Sequence, residues 1–180
     1  MITERKYGDV LVVMCALPQE GTRREAERAA VAALLEHVLP GAEMIHTAEG
    51  APVIDGGPYI SISHSRTHAA LAVCAGAPVG IDIETQRAQL ARVAPRVLSE
   101  AELDIYGRSP EGLLQAWTLK EALYKAALTP GLDFRRDIHL PLGDEKNEAS
   151  VAAPGGSARC FAILAASDGL AVVRRQSLVP

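Results

Sequence analysis

The run Val79-Gly80-Ile81-Asp82-Ile83-Glu84 alternates apolar and acidic side chains. As a strand it turns Ile81 and Ile83 to one face and Asp82 and Glu84 to the other. Carboxylates one strand repeat apart repel unless water or a cation lies between them, so the acidic face is expected to stay out of a core. Hard oxygen donors of this kind suit Mg²⁺. Downstream, Trp117, Glu121 and Lys125 recur at i, i+4 and i+8 and share one stripe of a helix, which sets a third carboxylate one turn from an ammonium. Each pattern alone has an ordinary explanation: a half-buried edge strand, and a surface Glu–Lys pair worth roughly 0.3–0.5 kcal/mol. Together with Gly80 and with the upstream run Ser61-Ile62-Ser63-His64-Ser65, they describe a metal–phosphate site.

The chain is long enough for one compact domain or two small lobes sharing a core, at 180 residues. Its 48% hydrophobic and 22% charged residues are ordinary for a water-soluble protein, and no apolar run approaches the ~20 residues of a membrane span. The first residues mix charges instead of building a signal peptide, which leads us to expect a cytoplasmic protein. A net charge of −4, without a basic tail, argues against nucleic acid as a partner. Cys15, Cys74 and Cys160 each lie in an apolar, strand-like run without CxxC spacing, so all are expected to be small core residues.

Tyr7 to Leu17 reads as a strand stopped by Pro18. Gly21 to Leu39 reads as a helix with Ala26, Ala30, Ala33, Leu34 and His37 on its inner face, stopped by Pro40-Gly41. Arg23, Arg24 and Arg28 crowd its first turns against the helix dipole. They are either a solvated face balanced by Glu20, Glu25 and Glu27, or an anion site. Strands follow at Glu43–His46, Tyr59–Ser63 and Ala69–Ala75, before the acidic strand. Ser99 with Glu102 forms a capping box, and Ser109-Pro110 opens the helix carrying Trp117. The remainder reads as antiparallel strands, with a hairpin turning at Ser167-Asp168-Gly169.

Three blocks in this order, Ile60–Ser65, Pro78–Glu84 and Trp117-Thr118-Leu119-Lys120-Glu121-Ala122-Leu123-Tyr124-Lys125, give a sequence that resembles the 4′-phosphopantetheinyl transferases of the larger, two-lobed, surfactin-synthetase-activating type. The resemblance implies an α/β fold of the α+β type. Its two pseudo-twofold related lobes, about 1–76 and 77–180, are each a small, mainly antiparallel sheet packed with helices. It further implies a monomer that uses Mg²⁺ to move the 4′-phosphopantetheine arm of coenzyme A onto a serine of an apo acyl or peptidyl carrier protein, releasing 3′,5′-adenosine bisphosphate.

Residue by residue, the resemblance makes Asp82, Glu84 and Glu121 the metal carboxylates, with Glu121 also the general base. Lys125 becomes the cation for the phosphate, and His64, Ser63 and Lys120 join the coenzyme A site, with Arg23, Arg24 and Arg28 as further candidates. Gly50-Ala51-Pro52 departs from the family's Gly-Lys-Pro and removes a donor-binding cation, which leaves a catalytically weak binder of coenzyme A or carrier as the alternative. A Mg²⁺ phosphodiesterase would leave the Trp117–Lys125 helix unexplained. A hydrolase triad at Ser63-His64-Ser65 lacks its nucleophile elbow. From Thr85 to Ser99 the only charges are Arg87, Arg92 and Arg96, with Leu90, Val93 and Val97 interleaved. This basic segment either docks an acidic carrier or is a loop paired with Glu100, Glu102 or Asp104.

Overall fold

A computed structural model describes residues 1–143 and 147–176. Strands β1 (Ile2–Tyr7), β2 (Val10–Ala16), β5 (Tyr59–His64) and β6 (His68–Cys74) form an antiparallel sheet in the order β1-β2-β6-β5. The pair β3 (Met44–His46) and β4 (Pro52–Ile54) stands beside it. The second sheet, β7-β11-β10-β9-β8, is built from β7 (Val79–Ile83), β8 (Ile138–His139), β9 (Glu148–Ala152), β10 (Ala158–Ser167) and β11 (Leu170–Arg175). The helices are α1 (Arg23–Val38), α2 (Gln89–Val97), α3 (Glu100–Tyr106), α4 (Pro110–Ala127) and α5 (Phe134–Asp137). The architecture is mixed α+β, two small antiparallel sheets packed with helices, as expected.

Period-two alternation divides the core into layers. Val13, Ala69 and Leu71 face α1 through Ala26, Ala30 and Leu34. Their neighbours Val12, Ala70 and Ala72 turn the other way and meet Ile81, Ile83 and Val172 of the second sheet. On that sheet's far face, Ala171, Val173 and Phe161 pack against Leu119, Ala122, Leu123 and Ala126 of α4. The order is therefore helix, sheet, sheet, helix. Gly80 sets the last spacing: a Cβ there would lie 1.9 Å from the carbonyl oxygen of Ala122, so only glycine lets α4 approach β7 this closely.

Several expectations are corrected. The first strand is a hairpin, because Gly8 takes a left-handed φ of 61° and reverses the chain between β1 and β2. Ala33 and His37 lie on the exposed side of α1, where His37 meets Glu4, and Val31 takes the inner position. Cys160 is exposed on β10 and Cys15 is only partly covered, leaving Cys74 as the buried thiol. The basic segment contains helix α2, and Leu90 on it is buried. The expected capping box at Ser99/Glu102 is formed, and a second, which the sequence reading did not include, stands at Thr22/Glu25. Asp168 and Gly169 supply consecutive positive φ angles, as a two-residue hairpin turn requires. Among the described residues no helix is long and apolar enough to cross a membrane.

Candidate active site

β7 and α4 bring the acidic strand and the Glu–Lys stripe together, since Asp82 shares the Gly80 face that α4 covers. Asp82 is buried, 6% exposed, contrary to the expectation that this face stays wet. Its charge is compensated locally. The Lys125 ammonium donates to Asp82 Oδ1 at 2.8 Å and to the Ile81 carbonyl at 2.9 Å, while the Ser63 hydroxyl donates to the same Oδ1 at 2.7 Å. Glu84 pairs with Arg87 at the strand end, where the Thr85 amide also donates to it. Gly169 presses on this end: its carbonyl oxygen accepts the Glu84 N–H, and a Cβ there would sit 2.0 Å from the Glu84 carbonyl.

Glu121 is half-buried and, among the described residues, accepts no hydrogen bond. Burial, then the neighbouring charge of Asp82, pushes its carboxyl above the usual glutamate range, with Glu84 adding in the same direction. No three acidic, histidine or cysteine side chains among the described residues are gathered closely enough to hold a metal ion as they stand. The donor chemistry nonetheless fits a hard cation: Glu121 accepts no hydrogen bond among the described residues, burial and then Asp82 and Glu84 raise its carboxyl, and the cations acting against that, Lys125 and Arg87, are each paired with another carboxylate.

Next to Lys125 opens a groove of about 1100 Å³. Its charged and polar lining includes Arg24, Arg28, His64 and Lys125, and Val31, Leu35 and Val53 contribute apolar wall. His64 Nε2 is buried there without a hydrogen-bond partner among the described residues, and desolvation pushes the imidazole toward its neutral form. Ala51 lies on the same wall. Tyr124 and the exposed Leu128, left-handed at φ 50° where α4 ends, close the other side.

The remaining predicted residues fall elsewhere. Lys120 lies outside this groove: it is 0% exposed, and its ammonium donates to both oxygens of Glu102 and to the carbonyls of Phe134 and Ile138. Lying one position from Glu121, it is turned about 100° around the α4 axis from it. Ser63 turns away from the groove toward β7. Arg23 is tied to Glu27 and to the Ser65 carbonyl beside His64. Arg87 is engaged by Glu84. Arg92 and Arg96 are exposed on α2 and, among the described residues, make no ion pair; the expected partner Glu102 serves Lys120 instead. Sequence reasoning missed Ser61, whose hydroxyl, like that of Ser63, accepts a backbone N–H of β7: Ile81 to Ser61 and Ile83 to Ser63, each at 3.1 Å. Their recurrence at alternate positions of β5 is the signal that could have found them.

The fold, two small antiparallel sheets with an acidic strand under a helix bearing Glu and Lys one turn apart, is consistent with that of the phosphopantetheinyl transferases. Residues 78–164 match the model of the 4′-phosphopantetheinyl transferase superfamily. That span holds Asp82, Glu84, Glu121 and Lys125 but neither His64 nor the arginines of α1. No curated protein matches the chain.

Proposed function

We propose that the protein transfers the 4′-phosphopantetheine arm of coenzyme A to a serine of an apo carrier protein, with Mg²⁺, as a two-lobed holo-[acyl-carrier-protein] synthase. One observation carries this reading: a single groove joins Arg24, Arg28 and the orphaned His64 nitrogen to Lys125, which in turn touches the buried carboxylate of β7. Coenzyme A is a polyanion with an apolar arm, and this lining answers both properties. Asp82, Glu84 and Glu121 would hold Mg²⁺, which when bound neutralises pyrophosphate charge.

The acceptor hydroxyl oxygen attacks the phosphorus bearing the pantetheine arm. The bond from that phosphorus to the bridging oxygen breaks, and 3′,5′-adenosine bisphosphate leaves. Glu121, whose carboxyl burial and then Asp82 raise in the metal-free protein, takes the hydroxyl proton. Lys125 neutralises charge on the leaving phosphate, and Arg24, Arg28 and His64 hold the nucleotide end. Arg92 and Arg96, standing on the helix after the metal strand, dock the carrier.

Incubation with coenzyme A, Mg²⁺ and a panel of apo carriers, read by intact-protein mass, tests the proposal. A carrier gaining one phosphopantetheine is the expected result. Coenzyme A bound without any carrier modified would favour the weak or inactive binder, which Ala51 supports; hydrolysis of coenzyme A without a carrier would favour a phosphodiesterase.

A further inference from the structure

We infer that Ser63 is a positioning residue for the carboxylate of Asp82, not a ligand of the donor. The assignment rests on the proposed metal role of Asp82. Ser63 is 5% exposed, and its side chain is absent from the groove wall to which its neighbours Ile62 and His64 contribute. A serine hydroxyl has one proton to give. Here that proton goes to Asp82 Oδ1 at 2.7 Å, while the oxygen accepts the Ile83 N–H at 3.1 Å. The rotor is therefore fixed from both sides, and the chain from Ile83 N–H through Ser63 to Asp82 polarises in one direction.

Asp82 Oδ1 receives both Ser63 and Lys125, whereas among the described residues Oδ2 accepts no hydrogen bond. The two donors differ in kind. Lys125 sits on a flexible, partly exposed stem and can withdraw. Ser63 cannot, because its own oxygen is pinned to the β7 backbone. It thus holds one carboxylate oxygen and leaves the other free, the arrangement by which outer hydrogen bonds orient a metal ligand. The strand that supplies His64 to the donor groove in this way also fixes the carboxylate beside it.

Ser61 provides a control for metal affinity, although unlike Ser63 it also lines the groove. It accepts the Ile81 N–H at the same 3.1 Å and belongs to the same strand edge, but it gives no hydrogen bond to Asp82. Binding of Mn²⁺, followed by the electron paramagnetic resonance of the free ion, and binding of 3′,5′-adenosine bisphosphate without metal should be measured on the full chain. Ser63→Ala should raise the Kd for Mn²⁺ about ten- to a hundredfold and leave nucleotide affinity unchanged, with Ser63→Thr restoring Mn²⁺ affinity. Ser61→Ala should bind Mn²⁺ as the parent does. If Ser63→Ala does not fold, Ser63→Cys, whose thiol is a weaker donor, should show the same selective loss.

Equal loss of Mn²⁺ affinity in the Ser61 and Ser63 variants would overturn the assignment, because a loosened sheet edge would then explain both. Weakened nucleotide binding with normal Mn²⁺ affinity would make Ser63 a donor ligand and overturn it as well. Asp82→Ala separates this from the parent reading. If Mn²⁺ affinity survives that change, the metal role of Asp82 fails and the assignment with it; if affinity is lost there but kept in Ser63→Ala, only the role of Ser63 fails.

Discussion

Ala51 stands on the groove wall with Arg24, Arg28 and His64, where the transferases it resembles carry lysine. Restoring that cation adds a contact made equally to bound donor and transition state. Ala51→Lys should therefore lower the KM for coenzyme A about tenfold or more and leave kcat nearly unchanged. An unchanged KM in steady-state assays would mean that the α1 arginines already hold the phosphate. Glu121 offers a test that needs no substrate. Its carboxyl is raised by burial and by Asp82 above the ordinary value of 4.5, so the folded state holds the proton more tightly than the unfolded chain does. The resulting stabilisation is complete below the ordinary value and is lost as pH rises through the folded one. In metal-free protein, Glu121→Gln should raise the Tm at pH ~7 and make little difference at pH ~4, where the parent side chain is itself protonated. Thermal unfolding in chelator at the two pH values decides it, and equal Tm values at pH ~7 would show that the Glu121 charge is not strained.

Among the elements, β7 and α4 were legible because each carries a strict period, two for Ile81/Ile83 against Asp82/Glu84 and 3.6 for Trp117, Glu121 and Lys125. Capping residues placed the starts of α3 and α4 as well. What periodicity could not give was the depth of a polar side chain. Asp82 is buried because Lys125 and Ser63, distant in sequence, arrive to satisfy it. Lys120 stands between Glu121 and a Trp-bearing turn and reads as one more phosphate cation, yet it joins α4 to α3, α5 and β8 through Glu102 and two carbonyls. Glu102 meanwhile takes the Leu140 amide and caps α3 at Ser99. Removing the ammonium alone leaves a buried carboxylate uncompensated, so Lys120→Met should cost about 3–5 kcal/mol in urea unfolding. Adding Glu102→Gln should recover part of the loss, since no charge is then buried and the amide oxygen still accepts the Leu140 N–H, although the Ser99 N–H, which bonds to the other carboxylate oxygen, loses its acceptor. If Lys120→Met instead kept its stability and raised the KM for coenzyme A, Lys120 would belong to the donor site after all.

For the molecule as a whole, the arrangement of layers leaves the groove bounded by α1, β5 and the end of α4, while α2 follows β7 on another side. The basic character of Thr85–Ser99 was plain in the sequence, but its helical form was not: Pro95 and a short apolar pattern obscured α2, and Leu90 on it turns inward instead of lying on a docking face. The helix also separates the arginines by role. Arg87 is held by Glu84, whereas Arg92 and Arg96, one turn apart and exposed, keep their charge toward solvent in a protein whose net charge is −4. An acidic carrier approaching this chain is repelled by the average charge and attracted locally by that pair, and attraction between exposed charges weakens once the ~10 Å Debye length at 0.1 M salt is shortened further. Arg92→Glu with Arg96→Glu should therefore raise the KM for the carrier severalfold or more at low ionic strength. The KM for coenzyme A should stay unchanged because the donor groove does not include α2, and the fall in activity with added salt should flatten. Steady-state assays over a salt series, on the carrier identified by mass, measure all three quantities. If the double variant keeps the parental carrier KM and salt response, the carrier docks on another face.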